Sequence, residues 1–229
     1  MKAGFVANNN VLIVESINDK LFIEQLKQKI TNIDFDIDAP ICNISEYECL
    51  DGLSKKSLEA KLQSIVRSIR KRGLNKIGIL LDADDKGIEA RVALINEAVK
   101  IIDSELDILT INTWYESKLL QVQISCHILN VNGSGELETL LKTIKSKPSP
   151  YADCLEAWKT CIGLHQQTIS NKDFDKFWIT IYQRYDCCDK QEQKQAGKKC
   201  NPAASLQKNI WDFSHPALND LKSYLMMFD

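Results

Sequence analysis

The stretch KIGILLDADDKGIEAR, from Lys76 to Arg91, constrains this chain more than any other. A short apolar run, Ile77 to Leu81 with Gly78 inside it, delivers Asp82, Asp84 and Asp85 where it gives out, and Gly87 loosens the backbone before a helical pattern begins. That order describes a buried strand with an acidic tip. In α/β sheets ligands sit in the crevice outside the carboxyl ends of parallel strands, so acids placed there can meet acids from neighbouring strands. Crowded carboxylates repel one another, and a cation relieves the repulsion. Asp82 and Asp84 are alternate residues, expected to point to one side of an extended chain and to offer oxygen ligands to a hard cation such as Mg²⁺ or Mn²⁺. A solvated acidic turn has the same composition.

A second acid-tipped run sets this stretch in context. Near the start, Val11 to Val14 (VLIV) ends in Glu15, followed by SINDK and a helical pattern with Leu21, Phe22, Ile23, Leu26 and Ile30 on one face. Asn18 or Asp19 is placed to cap that helix. Two strand ends of this kind bring Glu15, Asp82 and Asp84 together.

The rest of the chain alternates strand and helix as far as about residue 144. Phe35 to Ile44 (FDIDAPICNI) alternates apolar and polar residues and reads as a strand interrupted at Pro40, hence an edge or a strand end. Ser54 to Arg72 reads as a long amphipathic helix stopped by Gly73, and Ile88 to Ile102 as another. Further extended pieces are expected near residues 108 to 112 and 126 to 131. This alternation predicts an α/β fold, a mostly parallel sheet flanked by helices. Gly135-Glu136-Leu137-Glu138 opens a short helix after a strand expected to neighbour the first, and KSKPSP, Lys145 to Pro150, reads as a linker. Residues 1–144 are thus expected to form the sheet domain. Residues 151–229 are expected to form a helical region packed on it, with helices at Tyr151 to His165, Phe174 to Tyr185, Ala203 to Ile210 and Pro216 to Phe228. Its aromatic residues Trp158, Phe174, Phe177, Trp178, Tyr182 and Trp211 read as packing anchors rather than a base-stacking platform. Asp186 to Lys199 reads as an exposed polar loop or a helix with a ragged start.

Composition excludes several classes. The chain has 229 residues, 44% of them hydrophobic, enough to bury a sizeable core. No apolar run is long enough to cross a bilayer, and MKAGFVANNN lacks the apolar segment of a secretory signal, so a cytoplasmic protein without membrane association is expected. A net charge of −2 leaves no global electrostatic footprint for nucleic acid. Basic patches at Lys55/Lys56, at Arg67 to Arg72 and at Lys194, Lys198 and Lys199 read as solvated helix faces. Eight cysteines at irregular spacing suggest no disulfide framework, and Cys187, Cys188 and Cys200 with His215 lack the paired spacing of a closed zinc site.

Taken together, VLIVESINDK and ILLDADDKG make the chain resemble the TOPRIM domain, the α/β module of topoisomerases, bacterial primases and OLD-family nucleases. That family joins an apolar strand ending in Glu to a later strand ending in D-x-D. Glu15 stands at the first acidic position, and Ser16 stands where the family favours Gly. The resemblance covers roughly Val11 to Gly135, and the G-x-L-E segment at Gly135 with a helical tail is similar to small stand-alone TOPRIM proteins of unassigned function.

What the resemblance implies is metal-dependent phosphodiester chemistry on DNA or RNA. Glu15 would be the general acid or base and could also touch the metal, Asp82 and Asp84 would hold Mg²⁺ or Mn²⁺, and Asp85 would lie nearby. Such an ion offsets the charge gathering on the phosphate oxygens, and crowding by like charge raises the proton affinity of Glu15. Asp19 and Lys20 could serve the site or only cap the first helix. Arg91 could steady a phosphate or be solvated, and Glu136 and Glu138 could add ligands or simply favour a helix start. No topoisomerase or primase partner domain is recognisable, which favours a nuclease, alone or with a partner such as an ATPase. A non-catalytic scaffold that binds nucleic acid or a protein uses the same acids. Haloacid-dehalogenase phosphatases fit poorly, because Lys86 stands where they carry Thr or Val, and nucleotide-sugar transferases leave Glu15 unexplained.

Overall fold

A computed structural model describes residues 9–31, 33–42, 53–108 and 110–229. The fold is α/β, built on a five-stranded, mostly parallel sheet. Its strands are β1 (Asn10–Val14), β2 (Asp36–Ile37), β3 (Lys76–Asp82), β4 (Tyr115–Ser117) and β5 (Val122–Leu129), in the order β2-β1-β3-β5-β4. β1, β2, β3 and β5 run parallel, and β4 pairs with β5 antiparallel as an edge. The two acid-tipped strands are neighbours, with Val14 opposite Leu80.

Helices cover both faces because the sheet is apolar on both. Val11 and Ile13 point into one layer with Leu58, Leu62 and Ile65 of α2 (Lys55–Arg72) and Ile95 and Val99 of α3 (Gly87–Val99). Leu12 and Val14 point into the opposite layer, as strand alternation requires. There they meet α1 (Ile17–Lys27), α4 (Leu137–Thr143), α6 (Asn171–Ile181) and the helices beyond it. α5 (Pro150–Leu164) covers the rim of this layer, burying Ala152 in it and packing Leu155 against it. A π-helical turn, Tyr182–Asp186, extends α6, and two short helices, α7 (Lys190–Gln193) and α8 (Ala196–Lys199), occupy the polar stretch that follows. α9 (Pro202–Leu206), a 3₁₀ turn at Pro216–Leu218 and α10 (Asn219–Met226) complete the chain.

Gly78 lets α10 approach the sheet. A Cβ there would run into the Phe228 ring and the Tyr224 hydroxyl. Lys76 fixes the same end by donating from Nζ to the carbonyls of Met227 (2.8 Å) and Asp229 (2.7 Å).

Several expectations are corrected. The expected piece at 108–112 includes residue 109, which lies outside the described residues, and its described residues form no strand. Asn96 clamps Ile108 through both amide atoms at 2.7 Å, Asn112 is left-handed (φ 57°), and the pairing strand is Tyr115–Ser117. The expected strand at 35–44 shortens to Asp36–Ile37, and its Asn43 and Ile44 lie outside the described residues. β5 begins at Val122 and neighbours β3 rather than β1. Cys188 and Cys200 are disulfide-bonded, which removes both from any zinc set. The aromatic residues divide: Phe174, Trp178, Tyr182 and Trp211 are buried, whereas Trp158 and Phe177 are 39% and 38% exposed.

Candidate functional site

Three loops meet at the carboxyl ends of β1, β3 and β5. The first is short because Ser16 starts α1 at once. Its hydroxyl accepts from the Asp19 amide (3.2 Å), and the Asp19 carboxylate accepts from the Ser16 amide (2.8 Å) and hydroxyl (2.7 Å). This reciprocal box fixes the turn and leaves Glu15 at its entrance. The second loop carries Asp84 in a left-handed conformation (φ 48°). It is tied to the third by two backbone bonds, Asp84 N–H to Gly135 C=O (2.8 Å) and Gly135 N–H to Asp84 C=O (3.0 Å). Gly135 has φ 91°, and a Cβ there would crowd Thr139, so the junction needs glycine.

Around this junction the carboxyls of Glu15, Asp19, Asp82, Glu136 and Glu138 interact. Burial raises the pKa of Glu15 despite the opposing pull of Arg91, Lys172 and a backbone N–H from Asp82. Asp82 is pushed well above its ordinary range by burial and then by Asp19, Glu15, Glu138 and Glu136. Burial and Glu15 push Asp19 up to about 6. Burial and Glu138 push Glu136 up to about 7, even though its Oε2 lies 3.1 Å from Lys172 Nζ. Burial outweighs the ion pair here. One carboxyl oxygen each of Glu15 and Glu136 is buried without a hydrogen-bond partner.

Asp84 behaves differently from the expectation for a metal-facing acid. It is in a turn, not extended, and its carboxylate pairs with the Arg91 guanidinium and with Lys172 Nζ (2.9 Å). Arg91 is buried rather than solvated, at 6% exposure. Lys172 thus bridges Asp84 and Glu136, while Lys176, one turn on, lies 4.0 Å from Glu136. Burial opposes the charge on Lys172, yet Glu136, Glu15 and Asp82 together raise its pKa. Asp85 is exposed at the mouth of a cavity of about 220 Å³ lined by Asp84, Glu136, Lys142, Lys159, Lys172 and Phe174. Among the described residues Lys20 forms no ion pair.

The donor chemistry fits a hard divalent cation, with crowded oxygens of which two are buried and unpartnered. The arrangement is balanced by ammonium and guanidinium groups instead, and among the described residues no three His, Cys, Asp or Glu side chains are set to hold a metal ion. A cation at Asp84 and Glu136 would compete with Lys172 for the same oxygens. Lys172 and Lys176 carry no local signature in the sequence; only their four-residue spacing on an amphipathic helix marks them as one face.

Fold and site together define a class: an α/β protein whose parallel strands end in a buried acidic crevice with a lysine inserted from α6, a helix late in the chain. The chain belongs to the family described as Protein of unknown function (DUF3226), which matches residues 9–228. No curated protein and no solved structure matches it. Among the described residues no helix is long and apolar enough to cross a membrane.

Proposed function

We propose that this protein carries out metal-dependent phosphodiester chemistry on nucleic acid in the cytoplasm, as a nuclease of TOPRIM type. The observation that carries the reading is the convergence of Glu15 and Asp82, on adjacent parallel strands, with Glu136 at one crevice. Mg²⁺ or Mn²⁺, when bound, supplies charge stabilisation for the phosphate. Asp82, Glu15 and Glu136 would hold it, joined by Asp84 once Lys172 withdraws.

The chain's own residues then divide the work. Glu15, whose proton affinity is raised by burial, would serve as the general acid or base, giving a proton to a leaving oxygen or taking one from the attacking water. Lys172, displaced from Asp84 and Glu136, is positioned to meet a nonbridging phosphate oxygen with its ammonium. Arg91 holds the second loop in shape through Asp84. Asp19 fixes the turn that presents Glu15, so it supports the site rather than reacting.

The test is cleavage of defined DNA and RNA with Mg²⁺ or Mn²⁺. Glu15→Gln should lower the rate by at least about a hundredfold while the fold persists. Asp82→Asn with Asp84→Asn should abolish the metal-induced rise in melting temperature. Wild-type protein inert on a broad substrate panel, alone and with a partner ATPase, rejects the nuclease.

One observation favours a second reading. Asp84 and Glu136 already have their charge balanced by Arg91 and Lys172, as in a non-catalytic scaffold that binds nucleic acid or a protein. A metal response that is absent in wild-type protein supports that reading.

A further inference from the structure

The cationic residues of α6 do not stop at the crevice. Lys172, Lys176, Thr180 and Arg184 follow one another at four-residue intervals from α6 into the π-helical turn, so they run down one side of the helix. At 1.5 Å per residue the line from Lys172 to Arg184 covers roughly 18 Å. Lys176, Thr180 and Arg184 wall a groove of about 400 Å³, shared with Phe177, Gly197 and Glu138. Glu138 marks the end nearest the acid cluster. On the far wall, α8 carries the exposed Lys198 and Lys199 just beyond Gly197. Arg184 forms no ion pair among the described residues.

Half-exposed rings accompany these cations. Phe177 lines the groove and is 38% exposed, with Trp158 of α5 set edge-on to it at 5.4 Å. At the other end the Arg184 guanidinium lies over Tyr185 at 5.5 Å, and Tyr151 lies beside Tyr185 at 6.1 Å. Tyr151 and Tyr185 are 61% and 41% exposed. A basic track interleaved with accessible rings suits unpaired nucleotides: cations follow the phosphates and rings stack on bases. In a duplex the base faces are already stacked on each other and cannot reach Phe177.

We propose that the groove along α6 binds a single-stranded segment of DNA or RNA and leads it to the acidic crevice at Lys172. The proposal rests on the reading of that crevice as a phosphodiester site and names its substrate as single-stranded. The overall charge of −2 keeps affinity modest.

The experiment is fluorescence anisotropy of the full chain with a labelled single-stranded oligonucleotide and with its duplex, in EDTA and at several salt concentrations. The single strand should bind about tenfold more tightly than the duplex. Lys176→Ala with Arg184→Ala should weaken binding about tenfold and flatten the salt slope by about 1.4, at about 0.7 for each phosphate contact. Phe177→Ala should weaken it about tenfold and leave the slope unchanged. Arg184→Glu, a single exposed change, repeats the test where the double variant misfolds. Equal affinity for duplex and single strand, or groove variants that bind like wild type, overturns the proposal. So does poly-glutamate that competes at equal affinity, which assigns the groove to an acidic protein. Cleavage assays of the wild-type protein and the same groove variants with Mg²⁺ or Mn²⁺ separate the two readings. If groove variants cleave and bind as wild type does, the groove assignment fails and the nuclease stands. If strands bind through the groove and no metal yields cleavage, the nuclease fails and the groove stands.

Discussion

Replacing Lys172 with Met tests the charge balance of the crevice directly. The ammonium lies 2.9 Å from Asp84 and 3.1 Å from Glu136, and the Glu136 side chain is only 5% exposed. Removing one partner of a fully buried pair costs about 3–5 kcal/mol, while exposed pairs contribute about 0–1 kcal/mol. The Lys172 side chain is 38% exposed, which places the loss between these limits, at about 2 kcal/mol. For a chain of this size that is a fall of about 4–8 °C in melting temperature. Because Glu136 takes up a proton below about pH 7, the deficit should shrink when the comparison is made at pH 5.5 instead of pH 8. Differential scanning fluorimetry in EDTA measures both. Adding Mg²⁺ should then stabilise Lys172→Met more than wild type, since the ion no longer competes with an ammonium for the same oxygens; stabilisation at a hundred times Kd is about 2.7 kcal/mol. A variant as stable as wild type in EDTA at both pH values, with an unchanged Mg²⁺ response, would refute the reasoning.

The remaining predictions concern pH and packing. Asp19 and Glu136 have folded pKa values of about 6 and about 7, above their ordinary 3.8 and 4.5, so each favours folding in its protonated form. Metal-free protein should therefore lose stability as pH rises from about 4 to about 7, the opposite of a chain held by ionised carboxylates, and urea titrations across that window measure it. Gly78→Ala should cost about 1–3 kcal/mol by forcing Tyr224 and Phe228 off the sheet, read as a lower urea midpoint. Ser16→Ala should cost about 1 kcal/mol through loss of the first-helix cap, and should also lower any cleavage rate because Glu15 follows the same turn.

The acid-tipped strands were legible because local pattern alone determines them. An apolar run of strand length that ends in carboxylates and passes into a helical period leaves little freedom, and β1 and β3 fall where VLIV and IGILL sit. The partners of those acids were not legible. Lys172 reaches Asp84 across a separation of 88 residues, with nothing around it but ordinary helix sequence. Arg91 was left between steadying a phosphate and solvation, because helical periodicity gives a residue's face but not the buried acid that draws it inward. The segment at 108–112 has strand composition, yet the Asn96 side chain satisfies the backbone of Ile108, and no window centred on those residues contains Asn96. The aromatic residues of the helical region were read as one class, although packing separates Trp158 and Phe177 from the rest.

The reciprocal backbone bonds between Asp84 and Gly135 make the acidic half of the crevice stiff. Asp84 and Glu136 cannot draw apart without breaking that clasp, while the cation between them rides on a helix from a different part of the chain. Electrostatic neutrality in this crevice is therefore a mechanical variable. A small outward slide of α6 would uncover the Glu136 carboxylate while Arg91 stays paired with Asp84, so under the proposed reading whatever pulls on that helix would govern when a divalent ion can enter.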